Sequence, residues 1–178
     1  ITNKLKLIGN NTEDLKTISA YCQDSIIKIK DLVYLKENKT FIAKIKRFMW
    51  EDLEKGVFRK YKRIESYIRF NFVEKVISKN IKQQKGERNL ELLTIKSSFV
   101  KNNFYEVNLI FSGNSIIQLL CEVIEVVLDD QESYREVKNF PKHNYLFCER
   151  NLKDIETINS QLLESKISKN FYYLKKPF

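Results

Sequence analysis

Glycine, proline and histidine are nearly missing from this chain. Its 178 residues hold 4 Gly, 2 Pro and a single His, with 3 Cys, one Met and one Trp. So little Gly and Pro beside 43% hydrophobic residues excludes a low-complexity or collagen-like chain and argues for a packed core. No run of about 18 apolar residues occurs, which leaves no candidate membrane-spanning helix. Cys22, Cys121 and Cys148 are odd in number, far apart and without a CxxC pair. That spacing argues against a disulfide framework or a cysteine zinc site and reads as small buried hydrophobes. The opening ITNKLKLIGNNTED lacks a signal peptide's apolar core, so the expected location is cytoplasmic.

Catalytic signatures are equally scarce. There is no GxSxG, Walker loop, GxGxxG or HExxH, and no spacing of metal ligands, so neither cofactor nor metal is expected. Any Ser–His–Asp or Cys–His system would have to use His143, which lies in the irregular, Pro-flanked segment Pro141-Lys142-His143 and reads most simply as a loop histidine.

What the chain does have is positive charge, 32 basic against 23 acidic residues for a net +9. A nucleic-acid partner is the immediate inference. However, 25 of the 32 are Lys and 7 are Arg, whereas bidentate phosphate and base contacts favour Arg. The lysines are spread along the chain with no block of five or six, which reads as a solvated surface.

It also has two-residue periodicity. In the segment from Thr40 to Trp50, Phe41, Ala43 and Ile45 alternate with Ile42, Lys44 and Lys46, before Phe48 and Trp50 on the other parity. Such alternation predicts a strand with one wet face. Ser25–Lys36 repeats the pattern and forms a hairpin with it across Glu37-Asn38. Tyr61–Asn80 predicts one long or two consecutive strands, with Ile64, Ile68, Phe70 and Phe72 sharing a parity. Leu90–Phe99 and Phe104–Ser112 pair across Lys101-Asn102-Asn103, and Ser115–Glu122 follows the Gly113-Asn114 turn. Thr12 is read as the N-cap of a helix over Thr12–Cys22, with Glu13 and Asp14 at its positive end and Leu15, Ile18 and Cys22 on its apolar stripe. A short helix is expected near Ile124–Asp130, and an amphipathic helix over Arg150–Ser168.

The phrases TEDLKTISAYCQD, RFMWE, LLTI, FSG and IEVVL, in that order, resemble the alphaproteobacterial family known as domain of unknown function twenty-nine forty-eight. The resemblance runs over about residues 4–145 and implies a cytoplasmic bacterial protein, but supplies no activity or cofactor. Two departures stand out: Asn114 follows Gly113 where a glycine is usual, and residues 146–178 extend beyond the family region.

These readings predict an α+β body over residues 1–145. Its antiparallel sheet curls into a sandwich or partly open barrel, compatible with a pleckstrin-homology-like arrangement. An N-terminal helix, a helix after the last strand and a helical extension at 146–178 complete it. Of the acidic pairs, Glu13/Asp14 serves the helix start, Asp129/Asp130 reads as a solvated element end, and Glu51/Asp52 adjoins the sole tryptophan. An aromatic beside an Arg and a carboxylate suits an interface, so Arg47, Trp50 and Glu51 are candidate binding residues; the plainer reading has Trp50 capping the core and Arg47 pairing with Glu51. Arg59, Tyr61 and Arg63 share one strand face and offer a basic–aromatic platform. The leading expectation is a non-catalytic module that binds a protein partner through these six residues. An RNA- or nucleotide-binding module on Arg59, Tyr61 and Arg63 is the alternative. An enzyme using His143 and Glu51 ranks third.

Overall fold

The computed structural model describes residues 4–55, 60–141 and 172–173 of the protein. In chain order the elements are β1 (Lys6–Gly9), α1 (Thr12–Cys22), β2 (Ile26–Lys28), β3 (Leu32–Leu35), β4 (Thr40–Phe48), β5 (Tyr61–Phe70), β6 (Val73–Lys79), β7 (Asn89–Val100), β8 (Phe104–Phe111), β9 (Ile116–Cys121), β10 (Val126–Val137) and β11 (Tyr172–Tyr173). Among the described residues every strand pairing is antiparallel. The order is β1-β10-β5-β4-β2-β7-β8-β9-β6-β11, with β3 also on β4, and the path does not close on itself. The domain is thus α+β with a dominant antiparallel sheet, and no described helix is long and apolar enough to cross a membrane.

Alternation in β4 is near-perfect. Phe41, Ala43, Ile45 and Arg47 face inward, while Ile42, Lys44 and Lys46 are half-buried on the other face. The helix forms where expected, but Asn11 caps it: its side chain accepts from the Asp14 N–H at 2.8 Å, and Thr12 is the first helical residue. Leu15, Ile18 and Cys22 then bury against the sheet, an apolar burial that stabilises by about 1.5–3 kcal/mol for each large aliphatic side chain. Core side chains come from β4, β5, β7, β8, β9 and β10, so the sheet wraps one common interior.

Three expectations need correction. The helix near Ile124–Asp130 is strand β10. Ile124, Val126, Leu128 and Asp130 are buried in alternation with half-buried Glu125, Val127 and Asp129, a period of two. Pairing with β1 on one side and β5 on the other satisfies the backbone as strand, which overrides the helical spacing of Ile124, Val127 and Leu128. The strand over Ser25–Lys36 is broken by a 3-10 turn at Ile29–Asp31 into β2 and β3. Phe72 does not join Phe70 inside. It has φ 57 and is 42% exposed, because the chain turns there from β5 into β6. Beside that turn lies the β9–β10 crossing, joined to it by Asn71 N–H to Glu125 O and Glu122 N–H to Phe72 O, each 3.0 Å. The expected helix over Arg150–Ser168 lies outside the described residues.

Candidate functional site

The candidate residues converge where β4 ends, β5 begins and β10 passes alongside. Arg47 continues the inward parity of Phe41, Ala43 and Ile45, so its guanidinium enters the interior and is fully buried. Asp130 does the same from β10 and is 4% exposed. β5 lies between them: Ile45 pairs with Ser66, and Ser66 with Asp130. Across this three-strand row Arg47 Nε donates to Asp130 Oδ1 at 2.7 Å and Nη2 to Oδ2 at 2.5 Å. The remaining donors go to Glu51 Oε2 (3.0 Å from Nη1), Glu51 Oε1 (2.7 Å from Nη2) and the Phe48 carbonyl (3.4 Å from Nη1). Five N–H groups thus have five acceptor contacts, the full capacity of an Arg side chain.

Asp130 is equally saturated. Besides Arg47 it accepts Ser66 Oγ at 2.6 Å and the Leu5 N–H at 3.0 Å, and the Asp130 N–H returns to Leu5 O at 2.9 Å. Burial works against the Arg47 charge, but its hydrogen bonds to Asp130 and Glu51 outweigh that and hold its pKa above the ordinary value. Cys22 lies within the field of both charges. Burial pushes its thiol up to about 12, with Arg47 pulling down and Asp130 pushing up by lesser amounts. A thiol that holds its proton is a poor nucleophile.

Trp50 is the first residue of a 3-10 turn, Trp50–Lys55, and does not extend β4. Its indole Nε1 donates to Gln23 O at 3.0 Å, tying the turn to the end of α1. It packs edge-on to Phe48 at 4.7 Å between ring centroids, and Phe140 stands edge-on to Phe48, Trp50 and Tyr61 at 5.6, 5.8 and 5.3 Å. Arg63, half-buried, donates from Nη1 to the carbonyls of Asp24 (2.8 Å) and Lys46 (3.1 Å) and lies 5.8 Å from the Phe48 ring centroid. Burial lowers its pKa, opposed by the carboxylates of Asp24 and Glu91.

Against this wall opens a cleft of about 380 Å³, lined by Asp24, Ile26, Arg63 and Glu91 and by the run from Val137 to Pro141. Two carboxylates, two cations (Arg63 and Lys138) and the Phe140 ring share one small space. A second groove of about 620 Å³ runs between α1 and β7, along Leu15, Ser19 and Leu93–Ser97, and is lined by none of the predicted residues that are described.

Five of those six are therefore gathered at one end of the sheet, and Arg59 lies outside the described residues. They do not form the exposed surface expected of them. Arg47 is fully buried, because the strand's inward parity runs through it. Trp50 is 8% exposed, and Glu51 is half-buried against Arg47. Tyr61 leans on Phe48 and Phe140, and of the five described residues Arg63 alone lines the cleft. Asp129/Asp130 is not a solvated pair, since Asp130 is the buried anchor of the network. Asp24, Glu91, Lys138 and Phe140 are not among the residues the sequence singles out, since no motif or local spacing joins them. Among the described residues no group of three or more His, Cys, Asp or Glu is arranged to hold a metal ion, and His143 lies outside them.

Residues 5–143 match a family model described as "Protein of unknown function (DUF2948)". No curated protein matches the chain, and no solved structure does.

Proposed function

Because the chain belongs to the DUF2948 family, whose description assigns no activity, its role has to be argued from its own geometry, and we propose that it is a non-catalytic module that binds a protein partner in the cleft beside Phe140. The observation that carries this reading is the saturation of the buried charges: Arg47 and Asp130 have no unused hydrogen-bonding direction for a substrate, while the cleft next to them mixes both signs of charge around an aromatic ring. Such a mixture suits a polar, aromatic-anchored protein contact. The buried network then serves as scaffolding. It locks β10 to β4 across β5 and so fixes the strand that leads into Val137–Pro141.

Two readings stand behind it. RNA or nucleotide binding on Arg59, Tyr61 and Arg63 draws on the half-exposed Tyr61, but Nη1 of Arg63 is already committed to two carbonyls. An enzyme using Glu51 would have to free a carboxylate whose two oxygens both accept from Arg47. We further read the sheet as a curled sandwich or partly open barrel of pleckstrin-homology-like form. The paired β5–β6 and β9–β10 crossings, and a core drawn from strands on both sides of them, support that form. Residues 1–145 are taken as the body and 146–178 as an extension, in keeping with the family match to residues 5–143. The widely separated Cys22 and Cys121, both free, fit a cytoplasmic setting.

Affinity capture from the source cells tests the reading, comparing the wild type with Lys138→Glu and Phe140→Ala. The proposal expects a partner retained by the wild type and lost from both variants while their circular dichroism is unchanged. Retention of the same proteins by all three would overturn it, as would an empty wild-type column.

A further inference from the structure

The lysines are scattered in sequence, but the fold gathers six cations around the β2–β3 turn and the β6–β7 connection, and none of the six lines the cleft. The 3-10 turn at Ile29–Asp31 is tied to the β6–β7 connection by two backbone bonds, Ile29 N–H to Arg88 O (3.1 Å) and Lys30 N–H to Gly86 O (3.0 Å). The approach is close enough that a Cβ on Gly86 would lie 3.3 Å from Lys30 Cβ. Lys28 and Lys30 are thereby fixed beside the segment that carries Lys79, Lys82, Lys85 and Arg88. That segment has its own turn, closed by Lys85 N–H to Lys82 O (3.0 Å) and Arg88 N–H to Lys85 O (2.9 Å).

Against these six stand two carboxylates, Asp31 and Glu87. Glu87 takes both Lys28 Nζ (2.7 Å) and Lys30 Nζ, and these hydrogen bonds hold its carboxyl down at about 2. Six positive charges less two negative leave an excess of four. Between them the exposed uncharged side chains are Asn80, Gln83, Gln84 and Asn89, and the large apolar residues Ile29 and Ile81 are both buried.

This composition selects among partners. A protein interface needs an apolar or aromatic anchor at its centre, and none is exposed here. Recognition by stacking on bases needs a ring, and none is exposed among the described residues of this surface. A surface of pre-positioned cations without either suits repeated phosphates. We propose that the plate formed by Lys28, Lys30, Lys79, Lys82, Lys85 and Arg88 binds the phosphodiester backbone of nucleic acid without reading its sequence. No residue of the plate lines the cleft, although Lys28 stands two residues from Ile26, and binding at the plate can succeed or fail without binding in the cleft.

The test uses the full chain and a fluorescein-labelled oligouridylate of about 20 nucleotides, followed by anisotropy between about 50 and 200 mM salt. Binding is expected at the lower salt. With about four phosphates neutralised, log affinity should fall against log salt with a slope of roughly −3. Lys82→Glu/Lys85→Glu should weaken binding by about tenfold or more, and an oligoadenylate should bind within a few-fold of the oligouridylate. Lys16→Glu/Lys36→Glu, which alters exposed lysines elsewhere, should leave the affinity unchanged. No binding at low salt would overturn the proposal, as would equal losses in the two double variants, which would mean diffuse charge. Stronger retention on vesicles containing one part phosphatidylglycerol in about three, lost in the Lys82→Glu/Lys85→Glu variant, would reassign the plate to a membrane.

Discussion

Arg47 is the residue on which this end of the molecule depends. Removing it leaves the Asp130 carboxylate buried without its cation, so Arg47→Met should destabilise the fold by about 3–5 kcal/mol in urea titration. Arg47→Met/Asp130→Leu should recover much of that loss, since the apolar pair removes the two fully buried charges and leaves only the half-buried Glu51 carboxylate, which water still reaches. A double variant no more stable than the single one would contradict this. Cys22 makes a second residue-scale expectation. With its thiol pushed up to about 12 by burial, it should resist a thiol reagent at pH 8 in the native protein and react only in denaturant; the buried Cys121 should behave alike. Arg47's location was legible in the sequence, because it shares its parity with Phe41, Ala43 and Ile45. An Arg at that position is read as exposed only if residue type is weighed above periodicity. Its partner was not legible, since nothing local links position 47 to position 130.

At the scale of elements, the junction of β1 with α1 leaves no room for a side chain at Gly9. A Cβ on Gly9 would come within 2.9 Å of Val126 Cγ1 and 3.0 Å of Asp14 Cβ and Ile18 Cδ1. Gly9→Ala should therefore force β1 off β10 or α1 off the sheet, costing about 1–3 kcal/mol in a thermal melt monitored by far-UV circular dichroism. An unchanged melting temperature would show that the junction can relax. α1 and strands β4, β7, β8 and β9 were legible because their apolar residues repeat at one clear period and their turns carry Asn and Gly, whereas the break between β5 and β6 at Phe72 interrupts a parity that runs on through Phe70. Asn102, Asn103 and Gly113 all adopt positive φ, as those residue types allow. β10 was not legible. Ile124, Val126, Val127 and Leu128 satisfy both periods over so short a run, and only the presence of β1 and β5 on its two edges decides between them.

For the whole molecule, the two surfaces divide by chemistry: one cleft with mixed charge around Phe140, and one plate of cations without apolar groups. Neither could be read along the chain, since each joins residues more than fifty positions apart, such as Arg63 with Phe140 and Lys28 with Glu87. The central claim is that the cleft receives the partner while the Arg47–Asp130 network behind it only holds the walls. Hydrogen exchange of the full chain, with and without the captured partner, tests it most directly. The account predicts new protection in Val137–Pro141 and around Ile26 and Glu91, with the Arg47 and Asp130 amides equally slow in both states. Protection confined to other surfaces, or amides at Arg47 and Asp130 that open when the partner binds, would contradict it.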